Sequence, residues 1–418
     1  MNNMITKKQE YTPLELYIHI PFCVKKCDYC DFISAPSGEL VKERYFEALR
    51  EEIRSYEGRM DGYRVVSIFI GGGTPSSVAA GYLKEILATV REVFVLADGE
   101  EVPEITIEVN PGTVDHDKLM TYREAGINRI SFGLQSTLDH ELKLLGRIHD
   151  YEQFLENYSL ARSIGFDNIN VDLMSALPGQ TLQDWEITLK RIAELKPEHI
   201  SAYSLIIEEG TPFYDRYGEG NPEEDQLPEE ETDRLMYART KEILKDYGYH
   251  RYEISNYSRK GYECRHNLGY WTGIPYLGLG LGASSCLKYT RFHNTAELEE
   301  YIEVCTMSCK GLENEPIDSE TQEQTTPLRD ILGIRRELQD LSRKEQMEEY
   351  MFLGLRLTEG ISREEFHRKF GQEIETIYGK VIADLKTKGL LEEGKGLLYL
   401  TEYGIDVSNQ VLAEFLLD

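Results

Sequence analysis

The sequence predicts an α/β fold built on a parallel sheet, and three observations carry that reading. Six short apolar runs alternate with stretches of helical periodicity between Leu16 and Ile206. Several of those runs end on one polar residue or a glycine cluster. From about Glu345 the pattern changes to helices closed by a turn-rich hairpin, which marks a second module.

The first run, Leu16–Phe22, alternates apolar residues as a short strand does. Glu39–Tyr56 follows as a helix, with Leu40, Tyr45, Leu49 and Ile53 spaced among charges. Val65–Ile70 is continuously β-branched and aromatic, the mark of a buried strand. The unit then repeats. Helix Leu83–Val95 leads to strand Glu104–Val109, and helix Lys118–Ala125 to strand Arg129–Leu134. Two helical stretches over His140–Ile164 precede strand Asn168–Leu173, and helix Leu182–Leu195 precedes strand His199–Ile206. Thr181 with Asp184 reads as a capping box. Periodicity does not separate a barrel from a doubly wound layer.

Gly218–Asp233 is acidic and turn-rich, and reads as a solvated loop. Met236–Tyr247 reads as a helix, Gly248–Tyr257 as a strand with turns, Ala296–Cys309 as a helix and Glu313–Thr326 as a polar connector. The last module has the order of a winged helix. Gln346–Asp418 holds 8 Lys/Arg against 14 Asp/Glu, so a packing module or lid is expected there rather than a DNA-reading face. The expected division is 1–217 for the core, 218–344 for an extension and 345–418 for the C-terminal module.

The 418 residues are 41% hydrophobic, with 27 tyrosines and a formal net charge of −28. Such a surface repels phosphate backbones and anionic lipid, so no nucleic-acid partner is expected. No stretch approaches a membrane span, and the N-terminus lacks the apolar run of a signal peptide. Seven cysteines, three on one loop, suit a reducing compartment, and a cytoplasmic location is the expectation.

Those three are Cys23, Cys27 and Cys30, spaced C-x3-C-x2-C directly after the first strand. Thiolates are the soft ligands that zinc and iron–sulfur clusters select. A structural zinc site would need a distant fourth ligand. A cubane cluster held by three leaves one iron open, and the count favours it. Disulfide pairing leaves one cysteine over. Gly71-Gly72-Gly73-Thr74-Pro75 follows the second strand, and consecutive glycines let amides form a nest for a carboxylate. Glu108, Gln135 and Asp172 fall at strand ends, where a polar group after a buried run must find a partner. Arg147 supplies a cation. His266 beside Tyr270 and Trp271 offers an imidazole next to aromatic planes. Cys305 and Cys309 share a helix face, but two ligands favour idle cysteines, as does the isolated Cys286.

The string YIHIPFCVKKCDYCDF resembles the radical S-adenosylmethionine (SAM) proteins. Within them it is similar to the branch of the oxygen-independent coproporphyrinogen III oxidase and its haem-chaperone relative. The resemblance implies an open (β/α)6 barrel, a [4Fe-4S] cluster on Cys23, Cys27 and Cys30, and SAM on its open iron. It implies SAM contacts from Tyr17, Gly72, Gly73, Thr74, Glu108, Gln135, Arg147 and Asp172. HNLGYW resembles the HN-x-x-YW motif of the chaperone branch. That implies haem or another tetrapyrrole on His266, Tyr270 and Trp271, with Arg265, Lys288 and Arg291 near the propionates. Two departures disfavour the oxidase: Phe32 stands where it carries a further cysteine, and only 22 residues precede Cys23. A haem chaperone is therefore expected, with an electron donor and a haem-acceptor protein as partners. The decarboxylating oxidase or another radical SAM enzyme, such as a methyltransferase, is the alternative.

Overall fold

The structure, a computed structural model, describes residues 11–99, 102–312 and 328–417, the side chains of 308–312 excepted. The connector at 313–326 lies outside the described residues, and so does the side chain of Cys309.

Six strands pair in parallel in sequence order: β1 (Thr12–Ile20), β2 (Tyr63–Gly72), β3 (Glu104–Val109), β4 (Arg129–Gln135), β5 (Ile169–Ser175) and β6 (His199–Ser204). Between them run α1 (Glu39–Arg54), α2 (Ala80–Val93), α3 (His116–Glu124), α4 (Asp139–Leu144), α5 (Tyr151–Ile164) and α6 (Leu182–Leu195). Both expected capping-box residues engage: Thr181 accepts from the Asp184 amide, and Asp184 reaches back. β1 and β6 do not pair with each other, so the barrel is open.

The strand period of two sorts the side chains. On β1, Leu14, Leu16, Ile18 and Ile20 join the core with Tyr45, Leu49 and Ile53 of α1. The alternate positions Glu15, Tyr17 and His19 line up with Ser67, Phe69 and Gly71 of β2. These alternate positions face the barrel lumen.

The open edges are extended. The acidic stretch contributes more than a loop: α7 (Pro212–Tyr217) precedes it, and its last residues open α8 (Glu230–Asp246). Glu230, Glu231 and Asp233 stand in that first turn, where the helix dipole favours anions, which composition alone does not reveal. β7 (His250–Arg251) and β8 (Asn256–Ser258) continue the sheet beyond β6, followed by α9 (Arg265–Thr272). β9 (Tyr276–Leu279) pairs with β1, and β10 (Ser284–Leu287), β11 (Thr290–Asn294), α10 (Leu298–Leu312) and β12 (Arg335–Asp340) complete a twelve-stranded sheet.

The last segment folds around its own core, which includes Phe366, Phe370, Tyr378, Leu398 and Phe415. Its elements are α11 (Arg343–Gly354), β13 (Ile361–Ser362), α12 (Arg363–Phe370), α13 (Ile374–Thr387), β14 (Leu391–Gly394) and β15 (Leu397–Leu400). The strands pair in the order β13-β15-β14. Two short helices, α14 (Glu402–Asp406) and α15 (Ser408–Ala413), close the module.

Candidate functional site

The cysteine loop is pinched at its base, where Cys23 N–H donates to Ala35 O (3.3 Å) and Ala35 N–H to Pro21 O (3.0 Å). Asp28 N–H donates to Leu145 O at 3.3 Å, tying the loop to the end of α4. Burial raises the Cys30 thiol, and negative charge on Cys27 and Cys23 raises it further, so the three sulfurs influence one another. Thr74 Oγ1 donates to Cys23 Sγ at 3.5 Å, and Arg147 Nη1 to Cys27 Sγ at 3.4 Å. Asn110 bridges these two donors: its amide nitrogen reaches Thr74 Oγ1 at 2.9 Å, and its oxygen accepts from Arg147 Nη2 at 2.7 Å. Arg147 also donates to the Gly133 carbonyl. A cleft beside the loop is lined by Lys25, Cys27, Thr74, Asn110, Arg147 and His149, among others.

The glycine loop differs from a free amide nest. Gly72 N–H donates to Glu108 Oε2 (3.1 Å), Gly73 N–H to Ile20 O (2.9 Å) and Thr74 N–H to Phe22 O (2.7 Å). The amides are committed to protein partners. Gly72 is needed for space, since its φ is +107° and a Cβ would collide with the His19 ring.

Tyr17 and His19 form a second tether. His19 Nε2 lies 2.8 Å from Ile33 O, so it donates there, and Nδ1 accepts from the Tyr17 hydroxyl at 3.0 Å. The far end of the cysteine loop is thus tied to β1. Burial first, and then the neighbouring Asp172 charge, push Glu108 up to about 8. Burial also raises Asp172, against hydrogen bonds from Asn170 and Ser131. A cationic ligand beside these acids would offset that cost. Gln135 closes β4 with φ at +75°, a left-handed turn that costs roughly 1–3 kcal/mol in a non-glycine residue. Strain of that kind at a strand end belongs with sites that hold ligands.

HNLGYW lies elsewhere, on a helix whose His266 is buried. α9 closes the barrel at the N-terminal ends of the strands. Glu104, the first residue of β3, accepts from the amides of Arg265 and His266, both at 3.2 Å. His266 is 2% exposed. Its Nδ1 lies 2.9 Å from Ser67 Oγ, and its ring stacks on Phe69 at 5.3 Å. Tyr270 packs on His266 and Tyr276, and Arg356 of the C-terminal module lies over Trp271 at 4.6 Å. The cations are engaged too: Arg265 donates to Val102 O at 2.8 Å and Arg291 pairs with Glu349 at 2.8 Å, while Lys288 is exposed. A helix held by a capping carboxylate places its His towards the lumen.

The profile of the Radical SAM superfamily matches residues 17–192, and that of the HemN C-terminal domain matches 341–407. The protein named "Heme chaperone HemW" from Bacillus subtilis (strain 168) is 36% identical over 400 residues, covering 96% of this chain and 98% of that protein. This chain belongs to the HemW family. The protein of that name from Escherichia coli (strain K12) is 41% identical over 272 residues, covering 65% of this chain and 69% of its own length. In fold, the chain is similar to the coproporphyrinogen III oxidase HemN from Escherichia coli, with a TM-score of 0.79 at 24% identity over 97% of this chain and 91% of that one. The open α/β barrel is thereby the fold of a radical SAM protein.

Membership of the HemW family within that superfamily implies a [4Fe-4S] cluster and SAM. The residues present fit them: three thiols on one loop, donors aimed at two of the sulfurs, and two half-buried acids that gain from a cation. Among the described residues no three His, Cys, Asp or Glu side chains come together around one metal ion. Asn110 and His19 escaped the sequence reading. Asn110 directly follows strand EITIEV, which Glu108 closes, so the rule that singled out polar groups at strand ends reaches it. His19 carries no such signal, because alternation makes it look like any lumen-facing residue.

Proposed function

We propose that this chain is a haem chaperone that binds haem or a related tetrapyrrole and passes it to an acceptor protein. The observation that carries this is a relative named for that role over nearly the whole of both chains. Phe32, 59% exposed two residues after Cys30, supports it against the oxidase, which carries a further cysteine there. Cys23, Cys27 and Cys30 would hold the cluster. Tyr17, Gly72, Gly73, Thr74, Glu108, Gln135, Arg147 and Asp172 would hold SAM. When bound, the cluster supplies the one-electron chemistry of the superfamily, with electrons from a separate donor. Arg147 and Thr74 orient the two sulfurs they reach, and Glu108 and Asp172 supply acceptors. No helix among the described residues is long and apolar enough to cross a membrane, and a cytoplasmic location is part of the proposal.

His266, Tyr270 and Trp271 are the proposed haem contacts, and in the packing seen here they require α9 to leave the barrel floor first. Anaerobic reconstitution tests the reading on one sample. Wild type is expected to bind haem, to contain four iron and four sulfide, and to leave coproporphyrinogen III intact. The triple variant with Ala at 23, 27 and 30 is expected to lose the cluster. SAM-dependent decarboxylation of coproporphyrinogen III would overturn the chaperone reading. Unchanged haem affinity and spectrum in His266→Ala would remove His266 from the haem site.

A further inference from the structure

A one-way chain of hydrogen bonds crosses the barrel interior from the start of α9 to Asp172. Cys264 N–H donates to the Tyr252 hydroxyl oxygen at 3.3 Å, and that hydroxyl lies 2.8 Å from His199 Nε2. His199 Nδ1 lies 2.6 Å from Asn170 Oδ1, and Asn170 Nδ2 donates to Asp172 Oδ1 at 2.8 Å. The direction is set from the carboxylate end. A carboxylate accepts, so the Asn170 amide nitrogen faces it. The same nitrogen donates to Ser131 Oγ at 2.7 Å, and that hydroxyl donates to Asp172 Oδ2 at 3.0 Å. The amide oxygen is then an acceptor, taking Ser201 Oγ–H at 3.2 Å as well as His199. His199 therefore carries its proton on Nδ1 and offers Nε2 to Tyr252. Burial and the Arg129 charge keep the imidazole neutral.

Asn170, His199, Ser201 and Tyr252 are all buried, at 6% exposure or less. Buried polar groups need partners in any fold, and satisfaction alone would explain a scattered network. This one is not scattered. Every donor points the same way and the chain ends on a single carboxylate. Aligned hydrogen bonds polarise one another, so the last bond is strengthened by those before it. We propose that Tyr252, His199 and Asn170 are positioning residues that fix the Asp172 carboxylate for SAM, and that they act only through Asp172. This rests on the assignment of Asp172 to SAM.

The test is SAM affinity, measured by calorimetry on cluster-reconstituted protein, with melting temperatures confirming that each variant is folded. Losing a hydrogen bond to a buried or charged partner predicts roughly 3- to 30-fold weaker binding for His199→Leu. His199→Asn, which restores a donor near the place of Nδ1, is expected to recover most of the loss. Tyr252→Phe removes one hydroxyl from an intact ring, and a loss of about 2- to 10-fold is expected. In the Asp172→Ala background, His199→Leu is expected to cause no further loss, because coupled residues are not additive. Additive losses, or failure of Asn to rescue, would reduce His199 to a packing residue and overturn the proposal. Wild-type affinity in folded Tyr252→Phe would overturn it even if His199→Leu does not fold. Wild-type affinity in Asp172→Ala would overturn the SAM assignment and the proposal together.

Discussion

Glu15 has no exposed surface, and its Oε2 has no hydrogen-bond partner among the described residues. Burial pushes its pKa from 4.5 up to about 9, against a hydrogen bond from Ser67 and with added repulsion from Glu104. The folded protein thus holds a proton that the unfolded chain gives up between those two values. The contribution to stability is full below about 4.5 and is lost as pH rises through about 9. Glu15→Gln keeps the shape and removes the titration. Its melting temperature is expected to fall less than that of wild type between about pH 6 and 9. Parallel melting curves from calorimetry would show that Glu15 does not titrate there. Glu108, pushed up to about 8, adds a slope of the same sign in ligand-free protein. SAM bound beside it should flatten that slope, and Glu108→Gln is expected to abolish this effect of SAM on the pH profile.

At the scale of the element, α9 is held from several sides. Glu104 caps its start, His266 enters the lumen, and Gly269 lies so close to Glu15 that a Cβ would collide with the carboxyl group. Gly269→Ala is therefore expected to cost about 1–3 kcal/mol through overpacking, read as a lower denaturation midpoint. Glu15→Ala should recover most of that loss in the double variant, since the nearest atoms to such a Cβ all belong to the Glu15 carboxyl group. If Gly269→Ala costs the same in both backgrounds, the close approach is not its cause. The same packing makes a second expectation. If haem reaches His266, binding must loosen α9, and hydrogen exchange at 265–272 should rise on haem addition.

At the scale of the whole molecule, the C-terminal module sits against the barrel through polar and apolar contacts. Arg234 pairs with Asp406, Lys241 and Arg251 both pair with Glu402, and Tyr237 of α8 packs on the module's own core. Thr358 N–H also donates to Tyr252 O at 3.0 Å. Exposed ion pairs contribute about 0–1 kcal/mol each and are screened by salt. Glu402→Gln with Asp406→Asn is expected to speed hydrogen exchange in α14 and α8 while leaving β1–β6 unchanged. Equal exchange in wild type and variant would assign the docking to the apolar contacts.

The sequence by itself determined the alternation of strands and helices, because the barrel strands are short, mostly buried runs separated by stretches of helical period. It also determined the cluster loop, since three cysteines on one turn are local in the chain. Glu108, Gln135 and Asp172 were legible as polar groups ending buried runs. Tertiary structure decided the rest. That Gly72, Gly73 and Thr74 spend their amides on protein partners follows from how β1 and β3 lie beside β2. β9 joins β1 as a parallel neighbour although more than 250 residues separate them, and nothing local in YLGL announces that pairing. Asn170, His199 and Tyr252 read as ordinary strand and loop residues until three segments meet in one lumen. HNLGYW shows the limit most plainly. Its residue types suit a haem face, but whether His266 points to solvent or to Ser67 depends on Glu104, more than 150 residues earlier, capping the helix. Chemistry carried by neighbours in sequence can be read from sequence, whereas orientation set by distant partners exists only once the chain is folded.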